Sequence, residues 1–231
     1  ELKKFRANPE LLEKFNKVLG YYKGTKSYHN YSPYRYFGEA SSKRVMRDFS
    51  VSKIFEENGS EWILLKVEGD SFMLNQIRKM VSLAVLVTRS GINADLMEKS
   101  FENRKFNIPN APSLGLYLER TLFSYYKQKL EKSTVELKDI DFNQYEGELD
   151  KIKHEMILPT IIKEEKETQD FVTFCYNVDC RMHNYPWLVE GGELPEIGTG
   201  EKPKNSGNAD KPKLEEGDED EADVKNGNRS D

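Results

Sequence analysis

Residues 69–89 read GDSFMLNQIRKMVSLAVLVTR, and this stretch decides how the chain folds. Phe72, Met73, Leu74, Ile77, Met80, Val81, Leu83, Ala84, Val85 and Leu86 leave almost no face for water, and a helix apolar nearly all round is buried. One polar seam breaks the pattern. Ser71, Asn75, Arg78 and Ser82 follow at intervals of four, three and four, which places them on one helix face. An arginine on a buried helix needs a carboxylate or phosphate opposite it, because an unpaired buried charge is costly. Arg78 is therefore either a clamp on another element or part of a site whose polar wall includes Asn75 and the two serines. Lys79, one position on, can reach the rim with its charged head in water.

On either side of this helix the pattern alternates between helix and strand. Asn8-Pro9-Glu10 reads as a cap followed by proline at the first helical position, with Leu11, Phe15, Val18 and Tyr22 as the apolar stripe and Gly24 as terminator. A loop dense in rings and cations follows. Val45 to Phe55 then reads as a strand with Val45, Phe49, Val51 and Phe55 on one face and Asp48, Ser50 and Ser52 on the other. Asn58-Gly59 is a hairpin turn, and the return strand WILLKVE feeds through Gly69 into the buried helix. Asn93 caps another helix, and after a proline-punctuated loop Leu114, Leu116, Leu118 and Leu122 share one face of a further strand. The layout is α+β, an antiparallel sheet packed with helices. The run from Asp150 to Val189, interrupted at Pro159 and Pro186, reads as a helical cap on that sheet.

The chain of 231 residues has 37% hydrophobic residues and a mean hydropathy of -0.76, low for a packed globule, but the deficit is local. Residues 193–231 carry twelve Asp and Glu against six Lys and Arg, while the first 192 carry 28 acidic and 29 basic side chains. The Gly-, Pro- and Asn-rich tail buries too little surface to offset its ordering entropy, so disorder is expected there, with solvation as its main work. Three parts follow: 1–149, an extension over 150–190, and the acidic tail 191–231. Cys175 and Cys180 do not make a disulfide framework, no signal peptide is expected, and the longest apolar run is too short to span a bilayer. A reducing compartment is expected, with no membrane partner. Because Glu1 opens the chain inside helix-like sequence, a longer protein is expected, its N-terminal part lying elsewhere.

Chemistry-bearing residues concentrate in two places. Lys26, Tyr28, His29, Tyr31, Tyr34, Arg35, Tyr36 and Phe37 interleave rings with cations, a mixture suited to looped RNA or to a strand edge whose rings serve the core. Cys175, Cys180 and His183 could ligate zinc with His154, but the spacing is not that of a structural finger and buried cysteines are common packing residues; zinc is disfavoured. No phosphate-cradling glycine loop, Ser-His-Asp order or HExxH helix occurs, which argues against nucleotide hydrolysis and zinc protease chemistry.

Four stretches, in order, resemble one family. They are KGTKSYHNYS (Lys23 to Ser32), GDSFMLNQIRKMV (Gly69 to Val81), IPNAPSLGLYLE (Ile108 to Glu119), and ILPTII (Ile157 to Ile162) with HNYPWL ending at Leu188. They look like segments of the TruA-type tRNA pseudouridine synthases, in particular the eukaryotic pseudouridylate synthase 1 branch. The likeness covers roughly residues 10 to 190. It implies cofactor-free isomerisation of uridine to pseudouridine in tRNA and in other RNA such as snRNA or mRNA, in the nucleus, by a monomer. It also implies that Arg78 pairs with a catalytic aspartate, and that Leu116, with Asn75 nearby, packs on the target base. Lys26, His29, Arg35 and Lys79 then become candidates for phosphate contacts, with Tyr28 and Tyr31 assigned to the core. Two departures matter. Asn75 stands where the branch has histidine, and the Arg-x-Asp segment and tyrosine of the family's N-terminal half do not occur, leaving Asp48 and Asp70 as the only acids near the key elements. The chain alone is then expected to be inactive and to need that half as its partner. A non-catalytic RNA-binding or tRNA-chaperone module of the same fold is the alternative.

Overall fold

A computed structural model describes residues 4–132, 138–189 and 191–203. Helix α1 (Pro9–Gly20) starts as its sequence requires: Pro9 fills the first helical position, and the Asn8 side chain accepts a hydrogen bond from the Leu11 amide. Its inner face buries Phe15, Val18 and Leu19. The helix stops at Gly20, and Gly24, at a φ of 100°, turns the chain into strand β1 (Gly24–Ser27). Strands β2 (Lys43–Glu57) and β3 (Ser60–Gly69) form the long hairpin around Asn58-Gly59, both at positive φ. The sheet order is β1-β2-β3, with both pairings antiparallel.

Two bulges in β2, between Met46 and Asp48 and between Val51 and Lys53, break the simple alternation. The first brings Met46 as well as Phe49 to the core, each 1% exposed, and leaves Val45 half-buried. The face read from a strict period of two is corrected accordingly.

Helix α2 (Gln76–Ser90) begins seven residues later than the hydrophobic run implies. Gly69 is still in the sheet, paired with Met46, so residues 70–75 must turn the chain before a helix can start. Asn75 makes that turn at φ 59°, a left-handed conformation asparagine tolerates better than most residues. Ser71 is therefore not on the helix, and the polar seam reduces to Asn75, Arg78 and Ser82. Gly69 has a tight setting: an added Cβ would lie 2.9 Å from the Val45 carbonyl oxygen and 3.2 Å from the Phe72 ring. That carbonyl accepts the Asp70 amide and is not free to withdraw. Gly69→Ala is expected to cost about 1–3 kcal/mol, lowering the melting midpoint by roughly 3–10 °C in a thermal melt; an unchanged midpoint contradicts this packing.

Helix α2 lies on α1 through Met80, Leu83, Ala84 and Val87, and Tyr22 closes the contact by donating its hydroxyl to the Met80 carbonyl at 2.8 Å. Around Tyr22 the rings of Tyr28, Tyr31, Phe49 and Phe101 pack at 5.2–6.1 Å, so Tyr28 and Tyr31 are core residues. The short helix α3 (Asp95–Lys99) follows, with the Asn93 side chain accepting the Asp95 amide.

The strand expected at Leu114–Leu122 does not form. Pro109 and Pro112 have no N–H to donate, Gly115 turns at φ 87°, and the segment pairs with no strand among the described residues. Leu116, Leu118 and Leu122 remain 47%, 82% and 49% exposed. Helix α4 (Ser124–Glu131) follows.

In the C-terminal region α5 (Glu146–Ile152) runs through a π-helical turn (Lys153–Ile157) into α6 (Leu158–Thr168), and α7 (Asp170–Cys180) comes after a left-handed Gln169. Pro159 thus does not interrupt the helix: the wide π turn just before it relieves the clash a proline ring makes with the preceding turn. Val178, Tyr185, Trp187 and Leu188 join the same core as α1 and α2, with Trp187 edge-on to Phe106 at 5.7 Å. The extension over 150–190 is therefore built into the first part rather than laid upon it. Residues 191–201 also belong to it. The Phe37 amide donates to the Gly200 carbonyl (2.7 Å), the Gly198 amide to Asn103 (2.7 Å), and Arg104 to Pro195. One compact unit runs as far as Glu201. Residues 204–231 of the expected acidic tail lie outside the described residues. No helix among the described residues is long and apolar enough to cross a membrane.

Candidate active site and nucleic-acid interface

Arg78 sits in the first turn of α2, half-buried. Its Nε donates to the Ala111 carbonyl at 2.6 Å, while the Ala111 amide returns a bond to the Arg78 carbonyl at 3.4 Å. This reciprocal pair ties the proline-rich segment to the helix start and fixes the guanidinium plane. Nη1 lies 3.5 Å from the Asn75 oxygen, so the left-handed turn that starts the helix also places a neutral acceptor beside the cation. No carboxylate lies within ion-pairing distance of Arg78 among the described residues. Next to Ala111, the Asn110 side-chain oxygen is buried without a hydrogen-bond partner.

The two acids near this region are already engaged. Asp70 pairs with Arg47 at 2.6 Å, and Asp48 with Lys23 at 2.6 Å, with Ser50 donating to it at 2.8 Å. The Lys23 contact holds the Asp48 carboxyl below its ordinary range. Neither pairs with Arg78. Leu116, whose amide closes a turn on the Ser113 carbonyl, is half exposed and presents an apolar surface.

Two adjoining clefts flank Pro33 and Tyr34. One, about 420 Å³, includes Ser32, Arg35, Arg44, Phe72 and Leu74 in its lining. The other, about 360 Å³, includes Asn30, Lys79, Lys105, Phe106 and Asn107. Tyr34 adopts φ 56°, unusual for a bulky residue, and its side chain is half exposed on the wall shared by both. Of the four cations expected to meet phosphate, Arg35 and Lys79 line these clefts. The other two face inward. Lys26 donates to the Tyr21 carbonyl and stands 4.6 Å over the Phe101 ring, with burial pulling its amine below the usual value. His29 is fully buried: Nε2 donates to the Arg104 carbonyl at 2.9 Å, which leaves Nδ1 to accept from Ser27. Burial lowers its pKa, so this imidazole packs as a neutral ring, edge-on to Phe37 at 5.5 Å. Periodicity missed Lys105, Arg44 and Asn30. Lys105 and Arg44 lie outside the helical stripes, and Asn30 hid in the aromatic loop as a polar residue with no spacing signal.

The cysteines and histidines do not converge. Cys175 is half-buried and Cys180 exposed, both as free thiols, whereas His154 contacts Asp150 and Lys53. Among the described residues no group of three or more His, Cys, Asp or Glu side chains is gathered to hold a metal ion.

Residues 19–124, which contain both clefts and Arg78, match a family model described as tRNA pseudouridine synthase. A tRNA pseudouridine synthase 1 from Yarrowia lipolytica is 35% identical over 230 residues, 96% of this chain and 43% of that protein. The chain belongs to the TruA-type tRNA pseudouridine synthase family. The mouse pseudouridylate synthase 1 homolog is 32% identical over 187 residues, covering 81% of this chain and 44% of its own length. The Saccharomyces cerevisiae tRNA pseudouridine synthase 1 is 40% identical over 149 residues, 64% of this chain and 27% of that protein. The chain thus spans less than half the length of these pseudouridine synthases. The Yarrowia match extends well past the 19–124 segment, in keeping with one core shared by α1, α2 and the C-terminal helices.

Proposed function

We propose that this chain supplies the C-terminal half of the active site of an enzyme that isomerises uridine to pseudouridine in tRNA. The observation that carries the reading is Arg78: anchored through Nε on Ala111, with Nη1 in only a long 3.5 Å contact to Asn75, it meets no carboxylate among the described residues. That carboxylate is the family's catalytic aspartate, which the N-terminal half brings. Facing Arg78, it stays ionised because a neighbouring cation favours the charged form. It attacks the ribose or the base, and the uracil detaches, rotates and rejoins through carbon. Leu116 packs on the base once it is out of the stack, a step that chemistry on a stacked base requires. The reading includes what the resemblance implies beyond tRNA: action on other RNA such as snRNA or mRNA, in the nucleus, without a cofactor, as a monomer.

The test is tritium release from carbon-5-labelled uridine in tRNA, comparing this chain with a protein that also carries the N-terminal half. Release from the longer protein alone is expected. No release from either removes the isomerase reading and leaves Arg78 as a clamp on the Ala111 segment.

A further inference from the structure

The cleft behind Tyr34 holds an arrangement that packing alone does not account for. Lys79 comes from α2 and Lys105 from the irregular segment after Asn103, and both line the same 360 Å³ space. Among the described residues the Lys79 amine makes no hydrogen bond or ion pair, and the charge acting on it is the like charge of Lys105. Together, burial and that repulsion pull its pKa down to about 8. Lys105, an exposed residue, donates to the Arg35 carbonyl at 3.1 Å and stands 5.8 Å over the Tyr36 ring; partial burial lowers the pKa of its amine, and the Glu39 carboxylate raises it. Two ammonium groups lining one small cleft, Lys79 half-buried and Lys105 more exposed, repel each other, and an anion between them offsets that repulsion. The rest of the lining is Asn30, Ser32, Pro33, Tyr34, Phe106 and Asn107.

We infer that this cleft binds one phosphodiester of the RNA, with Lys79 and Lys105 as paired ammonium ligands to the same phosphate. The RNA as source rests on the isomerase family reading; the anion site itself rests on the geometry of the cleft. A backbone phosphate suits it better than a free anion, because the adjoining cleft with Arg35 and Arg44 continues the positive surface along a strand. The half-exposed Tyr34 between the two clefts offers a ring to a neighbouring base.

The experiment uses the full-length protein and its Lys79→Met, Lys105→Met and double variants. Amine acylation read by mass spectrometry, with and without tRNA, reports the site directly. Binding of tRNA across a salt series reports the number of phosphates neutralised. The inference expects tRNA to protect both amines together at least fivefold, with millimolar inorganic phosphate protecting them far less. The double variant should bind about tenfold more weakly at low salt, with a salt slope reduced by about one rather than two. Because Lys79→Met removes an unpartnered amine from a half-buried place, its melting midpoint should match or exceed wild type, so weaker binding is not misfolding. Amines that stay reactive with tRNA, a wild-type slope in the double variant, or a slope reduced by two overturn the shared phosphate. Equal protection by inorganic phosphate overturns the RNA source. Tritium release by the wild type, followed in parallel, separates the two readings: binding and protection without release removes the isomerase and keeps the site.

Discussion

Arg78→Ala in the complete protein is expected to slow pseudouridine formation by about 10²- to 10⁴-fold, while tRNA affinity stays within roughly threefold of wild type. The size follows from what removing one partner of a buried ion pair does: the remaining charge is stranded, at about 3–5 kcal/mol, and 1.36 kcal/mol is a factor of ten in rate. Here the stranded charge would be the nucleophilic carboxylate, which then takes up a proton or turns away. Binding is spared because the cations lining the two clefts, Arg35, Arg44, Lys79 and Lys105, are untouched. Arg78→Lys should recover little, since an ammonium cannot keep the Ala111 carbonyl and present a planar fork to a carboxylate at once. Single-turnover tritium release with a filter-binding control checks this. Turnover at the wild-type rate by Arg78→Ala ends the assignment.

The second large effect belongs to Asn30, which is 1% exposed and spends its side chain on three segments. Its Nδ2 donates to the Ser100 carbonyl at 2.8 Å and the Arg104 carbonyl at 2.9 Å, and its oxygen accepts the Phe106 amide at 2.9 Å. Truncation to alanine leaves two carbonyls and an amide without that partner, each worth about 1–3 kcal/mol when unsatisfied. Arg104 retains His29 as donor, so the net expectation is about 3–5 kcal/mol and a fall in melting midpoint of roughly 6–20 °C. Asn30→Asp should be nearly as damaging, because a carboxylate cannot donate to the two carbonyls. The same bonds hold the stretch that carries Lys105 against the cleft, so binding of tRNA should weaken before the fold is lost. Differential scanning calorimetry with binding below the midpoint reads both; a shift under 2 °C contradicts the clamp.

The elements whose signals are local were legible in the sequence. Asn8-Pro9 fixed the start of α1, Asn58-Gly59 fixed the hairpin, and the apolar density of residues 76–90 fixed a buried helix. What failed required knowledge of distant partners. The Leu114–Leu122 alternation is that of a half-buried strand, but a strand exists only where another offers its edge, and prolines and Gly115 spoil this one's donors and path. The bulge after Met46 is invisible to a period of two. In the candidate site, Arg78 stood out because a charge on an apolar helix is conspicuous within seven residues. Lys105 did not, since its meaning comes from Lys79, 26 positions earlier. His29 stands in a sequence stretch of mixed rings and cations, but in space it meets the Phe37 ring and the Arg104 carbonyl, neither of which its spacing announces.

The strap formed by residues 195–201 reaches back to Phe37, Asn103 and Arg104, and this bears on the order of events during synthesis. Translation delivers the aromatic loop first, and some 160 further residues must follow before the Gly200 carbonyl can meet the Phe37 amide. At 5–20 residues per second that interval is on the order of ten seconds. The hydrophobic contacts of α1, α2 and the hairpin can assemble while the chain is still being made, whereas the loop beside the two clefts waits for its last fastening. Nascent protein can thus hold a settled core and an unfinished cleft wall at the same moment, and that wall is fastened only once Gly200 has emerged.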